Sequence, residues 1–259
     1  MEQHPKTTVA IFPSPHVLSF SISETGAVEL GNFEGKYLQV VLDNLSMDYK
    51  FVFPKEKQYG KLLPNGSWNG MIGMLQRGEA DLAFTYLTVT EERAKVVNFS
   101  TVYTMDACIF VYSATLLSFL IQPIKEPMIL TFKELSKAVQ RGTHKATFYN
   151  FSIPFLLNSE DEDLNILGEI VIRNNWFVHS PKGGSFAYVK YHSIQASNRN
   201  PGKLVYSNHK DLYMSEETLY VSPMAFAYGK NFCCPTTLNS IILRLSAAGL
   251  YDKFSEIAH

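Results

Sequence analysis

Residues Gly66–Ser100 read GSWNGMIGMLQRGEADLAFTYLTVTEERAKVVNFS, and this stretch decides the fold. It follows a loop, Lys61–Asn69, that is rich in turn residues. Met71–Arg77 has the pattern of a short helix, which Gly78 ends. Asp81–Phe84 is a short apolar run flanked by polar residues, the pattern of a buried strand. Thr90 then opens a helix, with Glu91 and Glu92 in the first turn, where acids suit the helix dipole.

The same alternation extends towards the N-terminus. Thr7–Phe12 is β-branched and alternating, a strand ended by Pro13. Gly35–Leu45 places Tyr37, Leu38, Val41, Leu42 and Leu45 at helical spacing, and Tyr49–Phe53 is a strand closed by Pro54. The first third therefore reads β-α-β-α-β-α, an α/β layer structure with a largely parallel sheet.

Towards the C-terminus a second α/β unit follows. Thr131 and Glu134 have capping-box spacing and open a helix to about Gln140, ended by Gly142. Ser152-Ile153-Pro154 has the form of another N-cap. The acid run Glu160–Asp163 reads as a solvated helix start or loop. Pro181–Ser185 is a turn, and Leu219–Val221 a short strand. Pro235–Leu245 carries Leu238, Ile241, Ile242 and Leu245 on one face; Gly249 stops it, and Tyr251–Ile257 forms one more helix.

Composition narrows the function classes. The 259 residues are 46% hydrophobic and 18% charged, which is globular rather than disordered. Lys+Arg number 23 and Asp+Glu 24, so the basic excess of a general nucleic-acid binder is missing. The N-terminus has no apolar signal core, and the apolar stretch from Ala107 to Ile121 is shorter than the ~18–20 residues of a membrane helix. It reads as a buried strand running into a second segment. Sequons begin at Asn44, Asn65, Asn98 and Asn150 and lean towards an ectodomain.

Enzyme and cofactor signatures are weak. No phosphate loop or dinucleotide fingerprint occurs, and Gly183-Gly184-Ser185 lacks the context of a nucleophile elbow. The histidines do not pair at metal spacing; His144 and His192 read as surface or loop residues. No cofactor or metal is expected. Cys233 and Cys234 are adjacent, a spacing at which they do not easily bond each other within an ordinary backbone, and Cys108 reads as a small buried hydrophobe.

The opening stretch contains several blocks in a fixed order: Trp68-Asn69-Gly70-Met71, Gly78-Glu79-Ala80-Asp81, Leu87-Thr88-Val89-Thr90, Arg93 and Phe99-Ser100. This resembles the ligand-binding domain of ionotropic glutamate receptors, specifically the divergent arthropod chemosensory ionotropic receptors. Tyr112–Leu120 resembles the end of the family's third membrane helix, Ser185-Phe186-Ala187-Tyr188 a second-lobe strand, and Leu245…Gly249-Leu250-Tyr251-Asp252-Lys253 the closing helix. Val111 runs directly into Tyr112, where the family has its pore region. The resemblance thus implies a chain without pore helices, as in a spliced or trimmed product or a faulty gene model.

The resemblance implies an α/β two-lobed clamshell of the type II periplasmic-binding-protein kind, with residues 1–105 and 222–259 in lobe 1 and 106–221 in lobe 2. It implies Arg93 as a bidentate carboxylate anchor at a helix start, with Thr88 adding a donor. Tyr86 stands where the family has proline. Phe33 is the aromatic lid without a hydroxyl. Tyr191 stands where the family's acid receives a ligand ammonium, a charge that tyrosine cannot supply. A small carboxylate, or another acidic or polar molecule, therefore fits better than glutamate. Ser152 marks a second anion site by resemblance, and reads equally well as a plain N-cap. The implied partners are the small ligand and other subunits of a cation channel, on the extracellular side of the plasma membrane. A bacterial-type solute-binding protein, an enzyme on this fold and an orphan interaction module remain alternatives.

Overall fold

A computed structural model describes residues 6–14, 17–24, 26–56, 58–113, 129–149, 152–178, 193–198 and 212–257. They divide into two compact units. One is built from residues 6–105 and 222–257, the other from the described residues between 106 and 221.

The first unit has a central sheet in the order Tyr49–Val52, Thr7–Ala10, Leu82–Ala83, Ala227–Tyr228, Asn98–Phe99. The first three strands are parallel, with Thr7 opposite Tyr49 and Val9 opposite Leu82. Ala227–Tyr228 returns antiparallel between Leu82–Ala83 and Asn98–Phe99. The sheet is thus parallel only in its N-terminal half, because one of its strands arrives from more than a hundred residues downstream.

Neighbouring residues on these strands point to opposite faces, and each face has its own core. On one side Ala10, Phe12, Ala83 and Ala227 pack against Met71, Ile72 and Leu75 of helix Gly70–Gln76. On the other, Phe84 and Phe226 stack with centroids 4.2 Å apart. Tyr37 of helix Asn32–Leu45, Tyr103, and Tyr251 of helix Leu250–Ile257 surround them. Buried aromatics in offset or edge-on contact gain roughly 0.5–1.5 kcal/mol per pair beyond area burial.

A hairpin, Ser19–Ile22 with Val28–Gly31, precedes the first long helix. Its strands are only four residues each and little buried, so their alternation, Ser19-Phe20-Ser21-Ile22 and Val28-Glu29-Leu30, is too short to stand out as a strand signal. Phe20 fixes the hairpin by stacking on Phe53, with centroids 4.7 Å apart. Helix Pro235–Ala247 starts, as read, at its proline, and Gly249 (φ +61°) separates it from the last helix. Cys233 and Cys234, just ahead of that proline, are joined by a disulfide, which corrects the expectation that neighbours do not easily bond. The backbone at Cys234 (φ −133°, ψ 47°) is neither helix nor strand, and this irregular turn brings the two side chains to the same side.

The second unit's sheet runs Leu212–Met214, Thr104–Ser113, Ser193–Asn198, Lys145–Tyr149, Phe177–Val178, with Tyr220–Met224 also paired to Thr104–Ser113. Tyr112 and Ser113 are the last residues of that long strand, so the part of the membrane-helix resemblance that falls on them is not helical. The remainder of that stretch, and the stretch around Ser185–Tyr188, lie outside the described residues. Helix Phe132–Gln140 carries the full capping box: Thr131 Oγ1 accepts from Glu134 N at 3.2 Å, and the Glu134 carboxylate accepts from Thr131 N, also at 3.2 Å. Its apolar face packs with Leu167 and Val171 of helix Glu162–Arg173, and with Phe148. The acid run is the solvated start of that helix, capped by Asp161. Free Cys108 is buried in this core, where burial pushes its thiol up to about 12.

Candidate functional site

The site builds up from the segment that follows strand Leu82–Ala83. Leu87 O accepts from Ala225 N at 3.1 Å and Val89 N donates to Pro223 O at 2.9 Å, so residues 87–89 lie flat against the returning chain. Thr90 then caps a single helical turn, Glu91–Ala94, by accepting from Arg93 N at 3.3 Å. One turn carries little macrodipole, so what this segment offers an anion is the side chain of Arg93 rather than a helix end.

Arg93 folds back along its own segment. Its Nη1 donates to Thr88 O at 2.7 Å. Enclosure pulls the guanidinium down to about 10, opposed by the nearby Tyr59 and Glu92. It still carries its charge at neutral pH, but in a poorly solvated place. Among the described residues no carboxylate forms an ion pair with it; the ion pairs present are Arg77–Glu79 and Lys95–Glu91. A half-buried cation with one short hydrogen bond, and no ion pair among the described residues, leaves donors free to receive an anion. The hydroxyl of Thr88 makes only a weak contact, 3.6 Å to Met224 Sδ.

Tyr59 is the neighbour that the sequence reading missed. Its carbonyl accepts from Ile72 N at 3.0 Å and its ring meets Phe12 edge-on at 4.9 Å. The signal was the Tyr59-Gly60 pair. Gly60 has φ +144°, and a Cβ there would stand 2.7 Å from the Ile72 Cβ, so only glycine lets the chain pass this close to the helix. Gly70 (φ +60°) allows the matching approach from the helix side, where a side chain would strike the Gln58 carbonyl.

The other expected residues have mixed placements. Tyr86 lies two residues before Thr88 at φ +42°, buried, with its N–H donating to Glu34 Oε2 at 3.1 Å. Phe33 is 1% exposed and meets Tyr86 and Tyr251 edge-on, at 6.5 and 5.9 Å, so its ring is committed to the core of the first unit. Arg93, Thr88 and Tyr86 are therefore brought together in one segment, with Phe33 behind Tyr86.

Ser152 belongs to the second unit and is fully buried. It occupies the N-cap position of helix Ile153–Leu157 but makes no capping bond; its Oγ lies 3.1 Å from Tyr220 Oη. Its αR backbone (φ −84°, ψ −17°) is not the extended geometry a capping side chain needs, which corrects the N-cap reading. Phe155 stacks on the same tyrosine at 4.1 Å. Tyr191 lies outside the described residues. No group of His, Cys, Asp or Glu able to hold a metal ion occurs among the described residues. His144 pairs locally with Thr143 Oγ1 at 3.0 Å, and His192 lies outside them. No helix among the described residues is long and apolar enough to cross a membrane.

With this geometry in place, comparison with known proteins is informative. Residues 6–115 match the model described as ligated ion channel L-glutamate- and glycine-binding site. Residues 61–256 match the model of bacterial extracellular solute-binding proteins, family 3. A glutamate receptor of Lymnaea stagnalis is 31% identical over 100 residues, covering 37% of this chain and 11% of the receptor. A probable glutamate receptor of Gallus gallus is 36% identical over 95 residues, covering 37% of this chain and 18% of that protein. The mouse protein "glutamate receptor ionotropic, kainate 5" is 41% identical over 71 residues, covering 26% of this chain and 7% of its own length. The match thus spans less than a fifth of each of these receptors.

Proposed function

The chain belongs to the family of bacterial extracellular solute-binding proteins, family 3, with its type II periplasmic-binding-protein-like α/β fold, and from that premise we propose that it is the ligand-binding domain of an ionotropic glutamate-receptor-like protein. The ligand is a small anion, a carboxylate before anything else, and Arg93 is its anchor. The observation that carries this reading is the half-buried guanidinium of Arg93, bonded to the Thr88 carbonyl and with no ion pair to a carboxylate among the described residues. A ligand carboxylate supplies the missing charge and accepts from the planar fork in a way that a lysine would not reproduce. Thr88 and Tyr59 flank the guanidinium as secondary contacts.

Glutamate is disfavoured because Tyr191 replaces the acid that would receive an α-ammonium, so the ligand is a carboxylate without that group. The role is binding, not turnover. The two halves, 1–105 with 222–259 and 106–221, act as the lobes of a clamshell. In the intact receptor, on the extracellular side of its membrane and assembled with further subunits, closure biases a cation pore, and only a difference in affinity between states can drive it. A chemosensory role follows from a ligand that is not a transmitter amino acid.

The test is thermal stability against a panel of amino acids, small carboxylic acids and amines, with Arg93→Ala alongside. Ligand at a hundred times its Kd stabilises the native state by about 2.7 kcal/mol. The expected result is a rise with carboxylates that Arg93→Ala abolishes. A rise with amines alone, or one unchanged in the variant, overturns the anchor.

A further inference from the structure

Glu34 is fully buried, and three donors converge on its carboxylate. Oε1 accepts from Tyr103 Oη at 2.9 Å and from Tyr251 Oη at 2.8 Å, and Oε2 accepts from the backbone N–H of Tyr86 at 3.1 Å. The helix that carries Glu34 is fixed at the same point, because Glu34 N donates to Val17 O at 3.1 Å. None of these contacts is with Arg93.

Tyr86 is the notable donor. It stands at φ +42°, in the left-handed region that a residue with a Cβ adopts only where its surroundings over-determine it. Two residues later the Thr88 carbonyl receives the Arg93 guanidinium. On either side of that carbonyl, Leu87 O and Val89 N are already taken by Ala225 and Pro223. The direction of the Thr88 carbonyl is therefore set by the Tyr86 turn at one end and by the returning chain along its length.

We propose that Glu34 is the positioning residue of the anion site: its carboxylate holds the Tyr86 amide in the left-handed turn that aims the Thr88 carbonyl at Arg93, and so orients the guanidinium for a ligand carboxylate. This rests on the reading of Arg93 as the anchor. The arrangement separates two tasks that one acid could not perform. A carboxylate placed against Arg93 would orient it and also neutralise it, competing with the ligand. Glu34 acts through the backbone instead and leaves the cation its charge. It also accepts from Tyr103 and from Tyr251 of the last helix, so both chain segments of the first unit support the turn.

The experiment reads Arg93 directly. The side-chain Nε–Hε resonance of Arg93, assigned with Arg93→Lys, is recorded in ¹⁵N-labelled protein without ligand. The variants are Glu34→Gln, Tyr86→Gly and the double variant, with sodium butyrate as the binding probe. Glu34→Gln is expected to move the Arg93 resonance towards that of free arginine and to weaken butyrate binding at least tenfold. In the Tyr86→Gly background, where left-handed backbone needs no support, the same Glu34→Gln change is expected to leave the Arg93 resonance where it was. A purely structural role for Glu34 would not be cancelled by a glycine at 86. An unmoved Arg93 resonance in Glu34→Gln, or an equal movement in both backgrounds, overturns the proposal. Should Glu34→Gln not fold, Tyr103→Phe must give a smaller displacement in the same direction, and its absence overturns the proposal too. Should Tyr86→Gly not fold, Tyr86→Asn serves as the background in its place, asparagine being the side chain most tolerant of left-handed backbone. If the resonance responds as expected but wild-type protein binds no butyrate, positioning by Glu34 stands and the choice of carboxylate ligand fails.

Discussion

Two charged side chains of the first unit, Glu34 fully buried and Arg93 half-buried, are treated in opposite ways. Glu34 has a donor on each carboxylate oxygen and a second donor on one of them, from three separate parts of the chain. Arg93 has one short bond to a carbonyl and no counter-ion among the described residues. A buried charge whose partners are all supplied by the fold is part of the scaffold. A half-buried charge whose partners the fold leaves out is a place for something else. Burial alone does not distinguish a structural charge from a binding charge; the count of satisfied partners does.

Replacing Glu34 with Ala should have the largest consequence. It orphans two buried tyrosine hydroxyls and the Tyr86 amide, and a loss of roughly 3–5 kcal/mol is expected, the range for breaking a buried charged network. Denaturant unfolding measures it. A loss below about 1 kcal/mol would mean that the two charges are not different in kind.

Alkaline pH sharpens the contrast next. Burial, reinforced by the negative charge of Glu34, raises Tyr103 and Tyr251 well above the ordinary tyrosine value, and Tyr37 is raised by the same causes. These groups keep their protons in the folded state after the unfolded chain has lost them. Their contribution is therefore complete below about pH 10 and declines above it, by roughly 1.4 kcal/mol per pH unit for each tyrosine. Unfolding midpoints between pH 9 and 11.5 should fall on that schedule, and less steeply in Tyr103→Phe. A flat profile would mean that burial does not hold these tyrosines protonated in the folded state.

The smallest effect should come from Ser152→Ala. Its hydroxyl is already paired with Tyr220 and closed off from solvent, so a stability loss of about 1 kcal/mol is expected, with butyrate affinity unchanged. A tenfold weaker affinity would restore Ser152 as an anion contact and place binding charge outside the first unit.

Much of this was legible in the sequence, for reasons that differ by element. Helix Phe132–Gln140 and the turn Glu91–Ala94 were readable because their caps are local chemistry, a Thr three residues before the amide it accepts. The ends at Gly78, Gly142 and Gly249 were readable because each stands at positive φ. Arg93 was found through ordered blocks of residues. The hairpin Ser19–Gly31 was not, since its alternation runs over only four residues in each strand and the strands are little buried. Glu34 was invisible as a site component, because what matters is its partners far along the chain, Tyr103 and Tyr251, while Tyr59 was marked only by the glycine after it. The Cys233–Cys234 bond was misjudged from spacing, which says nothing of an irregular turn.

The first unit's sheet has a consequence for the order of events during synthesis. Strand Ala227–Tyr228 lies between Leu82–Ala83 and Asn98–Phe99, and Tyr251 bonds Glu34 across a separation of 217 positions. The ribosome therefore delivers both edges of this gap, and then the whole inserted unit, before the piece that fills it. The first unit must wait, with apolar strand edges open, while the inserted unit has all its own segments at hand and is free to fold first. The strand edges at Leu82–Ala83 and Asn98–Phe99 are thus the part of the nascent chain most exposed to wrong pairing before Ala227 is made.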